Sequence, residues 1–496
     1  MTDQAERQAE RSPSERAVRN TFSLLASRVA IAAMGWAGTV IIARMMSPDE
    51  WGKFSFIFGV LGLMSIVTDL GVGRVVLAKL VDDDEDERAR VATSFILLRV
   101  ALGCIGYVVA ILFVVISGYS AHVVWATAVA GIVVVIATPS HALTVLYQSR
   151  LRLTYVAAAE MLGQLAQLIF TILAALLAPI LIVFVIPAIV NEVVSIVGKI
   201  RGVRRGHVGT ATISRPEIWR WKEMLLEAVP LSIGFAFIEM TSKIDLVMLA
   251  RLDSFDAVGL YSVGYKFADF VLVAAVAVVT PFTTLMVSAW PDDPAAFRRA
   301  IHRAASIIAV LGAAGLAAFW PAANHLLALL YGERFEAAAF STNLLVTGAC
   351  LSALSQLGLM VLVSAGKHKV YPWVSLLVLL LNVGLNLVLI PRFSYHGAAW
   401  ATLISEAALL AVVCVVVLFS VKISGMLPAG AVVGPALLAA AVIAITTLVP
   451  GLHSAPWVLL ACVNPAVTLL GAHLLGLTGG LSLRRTFRRT TARVKP

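Results

Sequence analysis

Arg28, Glu239, Lys243, Asp245, Lys266 and Asp269 sit inside stretches of sequence that are otherwise almost wholly apolar. A charge near the centre of a bilayer costs about 2.5–3.5 kcal/mol on insertion scales, so each needs a partner or a watery cavity. The three cations, Arg28, Lys243 and Lys266, are candidates for holding an anionic solute in a hydrated cavity. Glu192 and Glu406 are single carboxylates in other apolar stretches. With Glu239, Asp245 and Asp269 they are the candidates for binding a coupling H+ or Na+. Glu160, Gln164, Gln167 and Thr171 recur at i, i+4, i+7 and i+11, one face of a helix, and Asn382 and Asn386 share a face of another. Each row is either a polar cavity wall or a seam of helix–helix hydrogen bonds.

A blander reading stands beside each of these. Glu239 and Lys243 are i,i+4 and Lys266 and Asp269 are i,i+3, so each pair can neutralise itself. Arg28 lies near one end of its span and can snorkel to the interface. Arg99 marks the inside edge of its span. No catalytic or metal-ligating set emerges, and no GxxxxGK[ST] loop occurs. The acidic run Asp82–Glu87 reads as the solvated face of a short loop. Cys104, Cys350, Cys414 and Cys462 all fall inside apolar stretches, where they act as small fillers rather than a disulfide framework.

The elements that position these residues follow from composition. The chain is 60% hydrophobic and 13% charged, against about 25% charged in soluble proteins. A hydrocarbon core of about 30 Å needs roughly 20 apolar residues per helix. Ten-residue alternating strands are absent, which excludes an outer-membrane barrel. The expectation is an all-α integral membrane fold of about 14 transmembrane helices. They run over 21–43, 53–73, 92–116, 122–146, 156–178, 180–198, 228–250, 260–285, 304–322, 338–364, 372–390, 397–420, 428–449 and 456–478. The polar first twenty residues lack an apolar core and do not read as a cleavable signal.

Orientation follows from the basic residues. With the N-terminus inside, 29 Lys and Arg fall in cytoplasmic segments, Lys199 among them, and 5 fall outside; Arg28, Arg99, Lys243 and Lys266 fall within spans. Both termini are therefore expected in the cytoplasm and the protein in the cytoplasmic (inner) membrane. The net charge of +10 then needs no nucleic acid: the basic C-terminal run meets anionic membrane lipids. Trp219 and Trp221, alternating with Arg220 and Lys222, suggest an interfacial helix under the second bundle.

Residues 43–55 and 250–262 are copies of one loop, 207 positions apart. Ala43/Ala250, Arg44/Arg251, Ser47/Ser254, Asp49/Asp256, Gly52/Gly259 and Ser55/Ser262 match without gaps. The shift encloses six spans, an even number, so the halves run parallel. The plan is a tail over 1–20, a six-helix bundle over 21–198 and a cytoplasmic linker with the interfacial helix over 199–227. A second six-helix bundle over 228–420, two extra spans over 428–478 and a basic tail over 479–496 follow. Duplicated bundles are how many transporters build an alternately accessible cavity.

Four stretches carry a resemblance. They are Ala43-Arg44-x3-Pro48-Asp49-x-Trp51-Gly52, Asp69-Leu70-Gly71-Val72-Gly73, Tyr331-Gly332-Glu333-Arg334-Phe335, and Asn382-x3-Asn386-x3-Ile390-Pro391 followed by Gly397-Ala398-Ala399. In this order they resemble the Wzx-type polysaccharide transporters, flippases of the MATE-like multidrug/oligosaccharidyl-lipid/polysaccharide exporter superfamily. Ser394 departs from the pattern, standing where the family often has Gly. The resemblance implies two bundles facing each other across a cavity lined by spans one, two, seven and eight. It implies a polyprenyl-pyrophosphate-linked oligosaccharide as cargo, and a surface-polysaccharide polymerase and glycosyltransferases as working partners. No cofactor is implied beyond a coupling ion, and no enzyme activity.

Three other readings remain open at this point, one of them a transport-inactive scaffold related to the flippases. A cation-coupled drug exporter of the same superfamily would call for an acidic cavity, which the cations on spans one, seven and eight oppose. A membrane glycan polymerase would call for a large outside loop, and the longest outside segment is about fifteen residues.

Overall fold

The computed structural model describes residues 13–80, 84–208, 214–421, 423, 425–449 and 456–477. Among them it contains helices and no strand. In a bilayer every backbone N–H and C=O must be paired internally, and a helix does this within one segment. The basic tail expected over 479–496, and the first twelve residues of the N-terminal tail, lie outside the described residues.

The chain divides into two compact units, Met1–Val247 and Met248–Pro496. In the first, α1 covers Pro13–Met45, α2 Pro48–Asp69, α3 Val72–Lys79, α4 Glu85–Ile116, α5 Ala121–Ser149, α6 Leu153–Leu177 and α7 Leu181–Arg204. Helix α8, Trp219–Thr241, and α9, Ile244–Leu252, run to and across the division. The second unit holds α10 Phe255–Ala289, α11 Pro294–Tyr331, α12 Ala339–Ser364, α13 Tyr371–Val421, α14 Ala429–Leu448 and α15 Trp457–Leu474.

Eleven described helices are long and apolar enough to cross a membrane, twelve if the bent α8–α9 pair is one span. Helix α13 has 51 residues. At 1.5 Å per residue that is more than twice the hydrocarbon thickness, and non-helical Ser394 (φ 54°, ψ −140°) divides it into two spans. With the 22-residue α2, all fourteen expected spans have a helical counterpart.

The repeated loop has a local cause. Ser47 caps α2 by accepting from the Glu50 N–H at 3.2 Å, and Ser254 caps α10 by accepting from the Ala257 N–H at 3.2 Å. Both caps are extended in backbone, as N-caps are. Pro48 opens α2, where its missing N–H costs nothing. In the first copy Asp49 and Glu50 both pair with Lys53.

Within the first unit α1 packs on α6, α6 on α7, and α5 on both α4 and α7. Gly71 adopts φ 63° at the turn between α2 and α3, and an added Cβ would fall 1.6 Å from Ser232 Oγ of α8. Only glycine fits there, which explains the Asp69–Gly73 motif. In the second unit α14 and α15 both pack on α11. Ala313, Ala317, Ala439 and Val442 form the small-residue seam that lets α11 and α14 approach, and the buried Asn464 amide donates to Ala317 O at 3.1 Å.

The Trp219–Lys222 stretch differs from the expectation. It opens α8 and docks on the first unit, with the axis bending 68° between Trp219–Val229 and Ser232–Leu252. Trp221 Nε1 donates to Ser94 O of α4, and Glu217 N–H to Ser94 Oγ. Arg220 is held by Glu217 and Glu87, and Lys79 by Glu223 and Glu227. Burial pulls the Lys79 ammonium down, but those two hydrogen bonds outweigh it and hold it above its ordinary value. Opposite charges on the α3 and α4 ends thus fix the segment.

Candidate functional site

Arg28 of α1, Glu160 of α6 and Lys199 of α7 form one chain of charge. Arg28 Nη1 lies 3.0 Å from Glu160 Oε2, and the arginine side chain stays 61% exposed. The other carboxylate oxygen, Oε1, accepts from Lys199 Nζ at 3.1 Å, and that lysine side chain is 1% exposed. Lys199 also donates to Ser140 Oγ of α5 at 3.0 Å. A fully buried ammonium is tolerable only when paired and hydrogen-bonded, and here it is both.

Close helix approach makes the chain possible. A Cβ on Gly198 would lie 3.0 Å from that of Ala159, so α6 and α7 touch beside Glu160. Tyr147 and Tyr155 hydroxyls donate to Lys199 O and Gly198 O at 2.7 and 3.1 Å, fixing the α7 backbone. Glu192 and His141 stand within the electrostatic reach of the Glu160–Lys199 pair. Two residues of this site were misread or missed. Lys199 belongs to the buried interior of the helix packing and not to a loop. His141 gave no sequence signal because a lone histidine in an apolar helix carries no spacing.

The polar face of α6 resolves into two uses. Glu160 makes the ion pairs, while Gln164 and Gln167 accept from Asn191 Nδ2 of α7 at 3.4 and 2.7 Å. The glutamines thus form a helix–helix seam. Thr171 is fully buried, and its hydroxyl has no partner among the described residues. Arg99 is likewise interior, not marginal. Its side chain is 3% exposed, and it donates to Thr68 O at 2.7 Å, Thr138 O at 3.3 Å and Asp69 Oδ1 at 2.6 Å.

Glu239 and Lys243 do not share a continuous helix face. The α-helical ladder stops at Thr241, and Lys243 N–H bonds to Met240 O, three residues back. No ion pair joins the two side chains among the described residues. The Lys243 stem instead lies along Gly62 of α2, where an added Cβ would meet Lys243 Cγ and Cδ at 3.7 Å. Asp245, fully buried in the first turn of α9, accepts from the Leu246 N–H at 2.9 Å.

In the second unit Lys266 and Asp269 both lie on α10; Asp269 is exposed and makes no ion pair among the described residues. Asn386 Nδ2 donates to Asn382 Oδ1 at 3.0 Å, both residues being fully buried on the first half of α13. Asn382 Nδ2, Asn386 Oδ1, Ser405 Oγ and Glu406 Oε2 have no partner among the described residues. Glu406 receives a hydrogen bond from Ser352 of α12 and packs beside Gly348. Helices α10, α11 and α12 also enclose an apolar cavity of about 300 Å³, lined by residues such as Phe267, Phe270, Phe319 and Cys350. Among the described residues no group of three or more His, Cys, Asp or Glu could hold a metal ion, and the four cysteines are unpaired.

Comparison with solved structures finds this fold in membrane transporters. The lipid II flippase MurJ in an inward closed conformation aligns with TM-score 0.72 at 14% identity, over 92% of this chain and 98% of that one. An inward-facing multidrug resistance MATE family transporter of the MOP superfamily aligns with TM-score 0.63 at 14% identity, over 79% and 96%. A Vibrio cholerae MATE transporter aligns with TM-score 0.54 at 15% identity, over 83% and 98%. At such identities the likeness establishes the fold. No curated protein sequence matches. The sequence model of the family described as "Polysaccharide biosynthesis protein" matches residues 41–340, more than half the chain. The chain is thus a multi-pass membrane protein of the polysaccharide biosynthesis protein family, with a MATE-like fold.

Proposed function

We propose that the protein flips a polyprenyl-pyrophosphate-linked oligosaccharide across the cytoplasmic membrane by alternating access, for cell-surface polysaccharide synthesis, with both termini cytoplasmic. The observation that carries this reading is Arg28, a guanidinium within span one that remains 61% exposed. A cation kept open inside an apolar span suits an anionic head group, because its charge-assisted hydrogen bonds to phosphate are strong and bidentate. The family match and the fold shared with a lipid II flippase support the same class of cargo. Lys243 and Lys266 are further proposed contacts for the pyrophosphate.

Glu406 is the proposed coupling residue for H+ or Na+, since one of its buried oxygens has no hydrogen-bond partner among the described residues. The polymerase and glycosyltransferases that make and extend such a lipid-linked glycan are the proposed partners. The test is a deletion strain. Lipid-linked glycan should accumulate on the cytoplasmic leaflet and surface polysaccharide should fall, with Arg28→Ala failing to complement at matched expression. Unchanged envelope glycans with new sensitivity to cationic drugs would instead make the protein a drug exporter.

A further inference from the structure

Glu160 has two cationic partners of opposite character. Lys199 is 1% exposed and makes a true hydrogen bond to Oε1. Arg28 is 61% exposed, and although its Nη1 is 3.0 Å from Oε2, that oxygen lies outside hydrogen-bond geometry. One partner is fixed by burial, Ser140 and the tyrosine-pinned α7 backbone. The other is held by charge alone.

We propose that Lys199 is a permanent counter-ion that lets Arg28 exchange Glu160 for the anionic group of the cargo. The inference rests on the reading of Arg28 as the cargo's anion contact. Without Lys199, releasing Arg28 would leave a mostly buried carboxylate unpaired, a strongly unfavourable outcome. With Lys199 in place the carboxylate stays neutralised throughout. The net charge of the trio, two cations and one carboxylate, is +1, and the surplus resides at its exposed end. A guanidinium has five donors in a rigid fork, so a phosphate can be gripped at two of them once Glu160 is released. Lys199 is therefore a positioning residue: it touches no cargo, yet decides whether Arg28 is available.

The experiment uses the full chain purified in detergent. Farnesyl pyrophosphate binding is measured by calorimetry, and the reaction of Arg28 with phenylglyoxal is followed by peptide mass spectrometry. In K199M Glu160 must keep Arg28, so labelling should slow and the Kd should rise, each about tenfold. K199R should resemble the wild type, and E160Q/K199M should recover both readouts. Should K199M not fold, E160Q alone reads the same device, since it should speed Arg28 labelling. Labelling that ignores Lys199 and Glu160, or a double variant that recovers neither readout, would overturn the exchange. If the wild type fails to bind the probe while labelling responds as stated, the cargo assignment falls and the exchange stands.

Discussion

Helices α1, α6 and α7 of the first unit meet through Arg28, Glu160 and Lys199, whereas α13 of the second unit carries the uncharged pair Asn382 and Asn386. The charged trio spans three helices, and the amide pair lies within one. Charges inside a span are unfavourable unless neutralised, and the first unit sets its carboxylate between two cations. Amides need no counter-ion, and the second unit leaves Asn382 Nδ2, Asn386 Oδ1 and Ser405 Oγ unmatched among the described residues. The second unit also keeps an apolar cavity, lined by aromatic and small side chains. Glu160 thus joins α1, α6 and α7 by charge, while the asparagine hydrogen bond stays within α13.

The largest expected effect is on the charged side. Glu160→Leu leaves Lys199 buried with only Ser140 and should destabilise the protein by about 3–5 kcal/mol. Glu160→Leu/Lys199→Met should regain most of that loss, read as denaturation midpoints in mixed micelles. If the single variant is as stable as the double, the charge network is not what joins α6 to α7.

The neutral side should respond less. Asn386→Leu strands Asn382 Oδ1 and should cost about 1–3 kcal/mol, whereas Asn382→Leu/Asn386→Leu should be near neutral. The same unfolding assay decides it, and a double variant as damaged as the single would give the asparagines a further partner. Next are the caps: Ser47→Ala and Ser254→Ala should each cost about 1 kcal/mol. A pronounced inequality between the two would show that the repeats no longer share the device. The smallest effect is a gain. Ser394 holds φ 54° and ψ −140°, a region few L-residues occupy, so Ser394→Gly should stabilise by about 1 kcal/mol. A loss of midpoint would mean the serine side chain makes up for its strain.

Most of the fold was legible because a span's length and apolarity are local properties, and the fourteen stretches became helices. The motif residues were legible too, since Gly71 and Ser47 act within a few positions of themselves or through one close contact. The site was legible only in part. Arg28 and Glu160 were visible as charges in spans, but their partnership was not, because they lie 132 positions apart and sequence periodicity compares only neighbours. Lys199 was hidden by its place: a lysine near the end of a span, followed by Arg201, Arg204 and Arg205, looks like the start of a basic loop. Glu239 and Lys243 showed the opposite fault. Their i,i+4 spacing suggested a pair, but the backbone departs from the α-helix between them.

The serine caps have a consequence for how the two copies can be compared. A cap fixes where a helix begins, and so sets a common angular origin for α2 and α10. From that origin Lys266 corresponds to Gly59 and Asp269 to Gly62. In the first copy the same bearings are Gly59 and Gly62, where an added Cβ would meet Leu246 from 3.2 Å and the Lys243 stem from 3.7 Å. In the second copy the same two bearings on the helix carry a cation and a carboxylate. The cap thus works as a shared compass, under which one direction was kept smooth in one half and electrified in the other.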